Sequence, residues 1–200
     1  GQKKTAAPAE QYVIHDEESF KAAAKSFHTM PMNDPALEFD IMLPRDWTAD
    51  FVAEKQSTPA SNQTIPEDIA RFKSPMIGTA QAVITIQAQH LAREISAENW
   101  LQSYVLARGY TLDGTISTLS PKKETVSLIS TGDGRSTHSY MLVQINGSNA
   151  MIAKFEMPLG LKDYLAFLEK KTIDGFKLIL TSDEPVETQK SLTLAGALKF

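Results

Sequence analysis

Residues 37–47 read Leu-Glu-Phe-Asp-Ile-Met-Leu-Pro-Arg-Asp-Trp, and this stretch constrains the fold more than any other. Leu37, Phe39, Ile41 and Leu43 fall on one side of a two-residue period, with Glu38 and Asp40 on the other. Successive side chains of a strand point to opposite faces, so this is a strand with one buried and one wetted face. Pro44 stops it, and Trp47 is expected to follow in an exposed loop. Such a strand needs a sheet to sit in and a layer to cover its oily side.

The remaining punctuation supplies both. A first helix is expected from Asp16 to Phe27, with Asp16 as cap, acids in the first turn, and Phe20, Ala23, Ala24 and Phe27 as its apolar stripe. The polar segment from Glu54 to Glu67, with Pro59 and Pro66, reads as a long loop. Ile69–Ser74 and Ala80–Gln89 read as strands, the second with Ala82, Ile84, Ile86 and Ala88 on one face. Ser96 caps a second helix that runs to Arg108 and stops at Gly109, with Ile95 and Trp100 placed as a hydrophobic staple.

Further strands are expected at Thr111–Leu119, Thr125–Ser130 and Thr137–Ile145, the last two joined by Gly132-Asp133-Gly134. Asn146-Gly147 predicts a two-residue hairpin turn, because both residues tolerate the positive φ of a type I′ turn. The returning strand puts Met151, Ala153, Phe155 and Met157 on one face and Lys154 and Glu156 on the other. A third helix fits Leu161–Lys171, a last strand Ile173–Leu180, and an alternating tail Leu192–Phe200. Helices separated by runs of hairpin-linked strands argue for an α+β fold, a mainly antiparallel sheet flanked by helices.

Composition narrows the function classes. Twenty basic against 24 acidic side chains give a net charge of −4, with no basic run longer than a pair, so nucleic acid is not an expected partner. No apolar run approaches the ~18 residues of a transmembrane segment. The chain has no cysteine, which removes thiol catalysis, disulfides and thiolate metal sites together. Gly1 reads as a cleavage scar, and Gln2 to Gln11 is small and polar, the kind of segment left behind an export signal. The expected organisation is therefore a disordered tail over residues 1–12 and a single α+β domain over 13–200, in a periplasmic or secreted protein.

The order of these features resembles the Mog1/PsbP-like superfamily, including its small bacterial envelope relatives. Four pieces carry the likeness: Phe39 to Trp47, the helix Ala97–Gly109 after a strand, the hairpin Ser139–Met157, and the helix and strand of Leu161–Leu180. The sequence departs from the family's common pattern in placing Asp46, where glycine is usual, before the tryptophan. The resemblance implies an α/β/α sandwich and a binding or assembly role in place of catalysis.

The search for chemistry agrees. None of His15, His28, His90 and His138 forms the i, i+4 pair of a zinc helix, so no metal is expected. His138 and Ser139 are adjacent on a strand and point to opposite faces, which disqualifies them as a nucleophile–base pair. Phosphate-binding motifs and a calcium loop are missing too, so neither catalytic residues nor a cofactor are expected. If a binding surface exists, Trp47, Arg71 and the 54–67 loop are the candidates to form it, and Trp100 and Tyr104 are expected to face the core. The first functional reading is thus a non-catalytic exported domain that binds a protein partner in a bacterial envelope. The second is a carrier of a small apolar ligand or lipid, with Met141, Met151 and Met157 lining the site. A hydrolase built on His138 or His90 comes third.

Overall fold

Asp16 opens the first helix with a capping box: its carboxylate accepts from the Ser19 backbone N–H at 2.8 Å. The computed structural model, which describes residues 14–54 and 65–181, places α1 at Glu17–Ala23 only. The expected helix to Phe27 is corrected here. From Ala24 the chain is already β1 (Ala24–Thr29), paired antiparallel with β2 (Phe39–Pro44) from Ala24 opposite Pro44 to Thr29 opposite Phe39. Ser26, Phe27, His28 and Thr29 are weak helix formers, and a strand ladder plus the edge-on contact of Phe27 with Phe72 outweighs one more helical turn.

β2 buries Phe39, Ile41 and Leu43 as the alternation requires, while Leu37 falls in a short 3₁₀ turn just before it. The chain then turns tightly, with the Trp47 N–H donating to the Pro44 carbonyl at 3.1 Å, and enters β3 (Thr48–Val52). Next come β4 (Glu67–Lys73), β5 (Val83–His90), α2 (Ala97–Arg108), β6 (Thr111–Leu112) and β7 (Ser117–Ser120). The chain closes with β8 (Lys123–Gly132), β9 (Arg135–Asn146), β10 (Asn149–Pro158), α3 (Lys162–Asp174) and β11 (Lys177–Leu178). Three expectations fall short here. Thr111–Leu119 is broken around Gly114, the last strand keeps only two residues, and Ile173 belongs to α3.

These strands form two antiparallel sheets. The small one has the order β1-β2-β11, and the large one β3-β4-β5-β10-β9-β8-β6, with β7 also on β8. Two hairpins set the register of its middle. Asp133 and Gly134 take positive φ between β8 and β9. Between β9 and β10, Asn146 pairs with Asn149, so the turn residues are Gly147 and Ser148 and only Gly147 has φ above zero. That is the II′ pattern, one residue later than the expected Asn-Gly type I′ turn, and it leaves the same side chains on the same faces.

The large sheet has a core on each side. One face packs against the small sheet, α1 and α3, through Ile84, Ile86, Leu142, Met151, Ala153, Phe155 and Met157. The other packs against α2 through Val126, Leu128, Met141, Val143, Ile145, Ala150 and Ile152. Helix, sheet, then helix with a small sheet is the layered α+β arrangement expected. Ser96 caps α2 as predicted, its hydroxyl accepting from the Asn99 N–H at 3.1 Å, and Gly109 ends it at φ 65. The expected tail over residues 1–12, the middle of the 54–67 loop and the 192–200 tail lie outside the described residues.

Candidate functional site

α2 covers only part of its face of the large sheet. It lies on β8 and β9 and the start of β10 and reaches β5 at Gln89; among the described residues no helix lies above β4, the rest of β5 and the far end of β10. That uncovered area holds a cleft of about 540 Å³, bordered at its far end by Arg135, Ser136 and Thr137 at the start of β9. The volume lies within the ~300–1,000 Å³ range typical of ligand sites.

Register explains which side chains reach the cleft. On β5, Val83, Thr85 and Gln87 alternate with the buried Ile84 and Ile86, and Thr85 lies opposite Lys154 of β10. On β4 the register shifts between Asp68 and Ala70. That bulge puts Asp68 and Arg71, three apart, on the same face. Arg71 Nη2 then donates to Asp68 Oδ2 at 2.6 Å, and Gln87 Nε2 donates to Asp68 Oδ1 at 2.8 Å. Asp50 of β3 adds a second carboxylate 3.7 Å from Arg71 and 3.3 Å from Lys73.

Lys154 is the deepest charge in the cleft, only 8% exposed, and its ammonium lies 3.2 Å from Glu156 on the same strand. Burial alone would lower its pKa, but Glu156 and the nearby phenols of Tyr104 and Tyr110 outweigh it and hold the amine above its usual value. Lys154 therefore stays cationic at every physiological pH. Gln87 Oε1 is buried without a hydrogen-bond partner among the described residues. The Arg135 side chain, exposed at the rim, likewise has no ion pair or hydrogen bond with them.

Arg71 thus lies in the cleft, but Trp47 does not join it. The indole is 5% exposed and packs on Phe155, ring centres 5.4 Å apart, on the opposite face of the sheet. The expectation of an exposed tryptophan is corrected by the tight turn before it. The chain crosses from the small sheet to the large one at Trp47, and the ring fills that junction. Residues 55–64 of the loop lie outside the described residues.

Trp100 and Tyr104 face the core as expected, stacked with ring centres 4.9 Å apart. The Trp100 N–H donates to Gln89 Oε1 at 2.9 Å. The three methionines expected to line an apolar site do not share one: Met141 is in the α2 core, Met151 and Met157 in the other.

The histidines sort by burial. His138 is 0% exposed; its Nε2 lies 2.9 Å from both Glu169 oxygens and its Nδ1 3.5 Å from Asp113, which Lys162 contacts at 2.5 Å. Burial raises the Glu169 pKa against the opposing pull of His138, while Lys162 holds Asp113 below the usual carboxylate range. Two residues along β9, the Tyr140 hydroxyl donates to Asp174 at 2.7 Å. Ser139 pairs with Glu156 and faces the other way, as strand geometry requires. His28, on the outer side of the small sheet, contacts Asp40 at 2.5 Å and Glu38 at 2.8 Å, and the Asp40 contact, foremost, raises its pKa. Among the described residues no group of three or more His, Cys, Asp or Glu side chains is placed to hold a metal ion.

Of the residues that line this cleft, sequence reasoning had named Arg71 but not Lys154, Gln87, Thr85 or Arg135. The available signal was polarity on the second face of two strands, Thr85-x-Gln87-x-Gln89 and Lys154-x-Glu156. Adjacency of those strands was not legible.

The fold is similar to the solution structure of cyanobacterial PsbP (CyanoP) from Synechocystis sp. PCC 6803, with a TM-score of 0.52 and 10% sequence identity. That match covers 78% of this chain and 93% of that one. LpqN, involved in cell envelope biogenesis of Mycobacterium tuberculosis, matches with a TM-score of 0.49 and 12% identity over 82% of this chain and 96% of its own. A protein from Bacteroides thetaiotaomicron VPI-5482 matches at 0.44 and 14% over 79% of this chain and 49% of its own length. No family model matches the chain, and no curated protein matches it in sequence. The CyanoP likeness shows the fold, an α+β sandwich of the Mog1/PsbP-like type.

Proposed function

We propose that this chain is one non-catalytic α+β domain of a bacterial envelope protein, periplasmic or secreted, that binds a protein partner through the cleft over β4, β5 and β10. The observation that carries this reading is the polar floor of the cleft. Thr85, Gln87 and Lys154, each about nine-tenths buried, lie where α2 ends, on the part of the sheet face that no helix among the described residues fully covers. Central strands covered by a helix normally present apolar side chains to it, and here the covered half does so. The bare half instead carries hydrogen-bonding groups and charge, which suits recognition on a rigid sheet. Arg71 belongs to this surface; Trp47 supports it from beneath, through Phe155, and makes no contact of its own with the partner.

The non-catalytic part of the proposal rests on chemistry. The cleft is lined by no histidine, and its two carboxylates, Asp68 and Glu156, are already bridged to Arg71 and Lys154. A free base or nucleophile poised beside an oxyanion donor is what hydrolysis would need. No helix among the described residues is long and apolar enough to cross a membrane. The extracytoplasmic part is tested by fusing the full-length precursor to a phosphatase that is active only outside the cytoplasm.

Partner binding is tested by site-specific cross-linking in the native cells. A photoreactive residue in place of Gln81, at the cleft, should trap one defined polypeptide, whereas the same residue in place of Lys170, on the outer side of α3, should not. Equal trapping from both positions, or none from position 81, would contradict the proposal.

A further inference from the structure

The charges of the cleft are unequal in a way that selects a ligand. Three cations line it, Arg71, Arg135 and Lys154, against two carboxylates, Asp68 and Glu156. Arg71 is taken by Asp68, with Asp50 behind it, and Lys154 by Glu156. Arg135 is left over, in a protein whose net charge is −4. A basic ligand would find no carboxylate in the cleft that is not already bridged. An acidic one would find at the rim a guanidinium with no partner among the described residues and, deeper, an ammonium with donors to spare, since Lys154 has three N–H groups and one carboxylate.

Shape adds a second constraint. The lining residues Lys154, Glu156 and Pro158 follow β10, a run of about 13 Å at ~3.3 Å per residue. Thr85 flanks the inner end, and Ser136 and Thr137 flank the outer end near Arg135. An open trough of that length, edged with hydroxyls, fits three or four residues of extended chain better than a compact molecule.

We infer that the cleft receives an extended, acidic peptide segment of the partner, with one acidic side chain of that segment docking on Arg135 at the outer end and another on Lys154 at the inner end. This inference rests on the proposal that the cleft is the partner-binding site, and names what it recognises. Arg135 is the anchoring residue. Glu156 acts as a competitor, because it occupies Lys154 until the ligand carboxylate arrives.

The test uses three blocked pentapeptides, X-Ala-Ala-Ala-X with X as Glu, Gln or Lys, titrated into isotope-labelled protein and followed by amide chemical shifts. The Glu peptide should move the amides of Thr85, Arg135 and Lys154, and the Gln and Lys peptides should leave them in place. Arg135→Gln should weaken the Glu peptide about fivefold, the size of one exposed ion pair. Glu156→Gln should do the opposite and tighten it several-fold, a sign that a merely structural role for Glu156 cannot produce. Binding of the Lys peptide as tight as that of the Glu peptide, or an affinity indifferent to Arg135→Gln, would overturn the inference. If cross-linking from position 81 persists while the Glu peptide fails to bind, the acidic-segment inference fails alone. If both fail, the binding role of the cleft fails with it.

Discussion

His138 and Lys154 are both titratable, both nearly inaccessible, and both on the β9–β10 hairpin, yet they are used differently. His138 faces α3, where its partners come from separate parts of the chain: Glu169 from the helix, and Asp113 from the segment after β6. Lys154 faces the cleft, and its ion-pair partner is Glu156, two residues along the same strand. A charge cluster that ties distant elements together holds a fold. One whose ion pair closes on its own strand, with only the Tyr104 and Tyr110 phenols near it from outside, ties less down and keeps N–H groups available for a ligand. The difference lies in what covers each face, since α3 and the small sheet seal one side while α2 stops short on the other.

The largest effect that could break this comparison concerns the sealed side. Trp47→Ala should cost about 3–5 kcal/mol of unfolding free energy in urea, the usual loss for a buried large aromatic. A loss under 1 kcal/mol would return Trp47 to the surface and restore it as a contact residue.

Glu169→Leu comes next. It leaves the fully buried His138 imidazole without its strongest partner and should cost about 1–3 kcal/mol, whereas Arg135→Gln in the cleft should leave urea unfolding within about 0.5 kcal/mol of the parent. Equal costs would mean that the two clusters do the same work.

The smallest effect is a titration. Burial, helped by Asp174, pushes the Tyr140 phenol up to about 12. Between the ordinary value near 10 and that point, the unfolded chain releases a proton the folded chain keeps. Stability should therefore fall as pH rises through this window, and Tyr140→Phe should lessen the fall. Ultraviolet titration of the five tyrosines should lose a late step in this variant. A parent titration complete by pH 11 would show that α3 does not hold the phenol.

Much of this fold was legible. Phe39 to Pro44 announced its strand because two-residue alternation is a local property, and Ser96 and Gly109 announced the ends of α2 because caps are local as well. Where the reading slipped, a distant partner decided the outcome. The helix from Asp16 lost its last turn to the β1–β2 ladder, and Asn146 gave its place in the turn to Ser148 because the register set by the flanking strands left Gly147 first. The site was harder to read. Arg71 was named only as a candidate beside Trp47 and the 54–67 loop, and its link to Asp68 depends on a bulge that no sequence pattern marks. Lys154 looked like an ordinary wetted residue because its burial comes from the neighbouring strand and from α2. Trp47 was misplaced because nothing local says that the chain changes sheets at that residue.

The account depends on one sheet face being filled and half of the other being open, and a matched pair of insertions tests this most directly. Val83→Trp adds an indole to the cleft, and Ala153→Trp adds the same indole to the sealed core. Thermal unfolding followed by circular dichroism should show Val83→Trp melting cooperatively within a few degrees of the parent, with Ala153→Trp unfolded or far less stable. Collapse of both variants would show that the cleft is packed space, and the division of the sheet into a structural face and a binding face would be wrong.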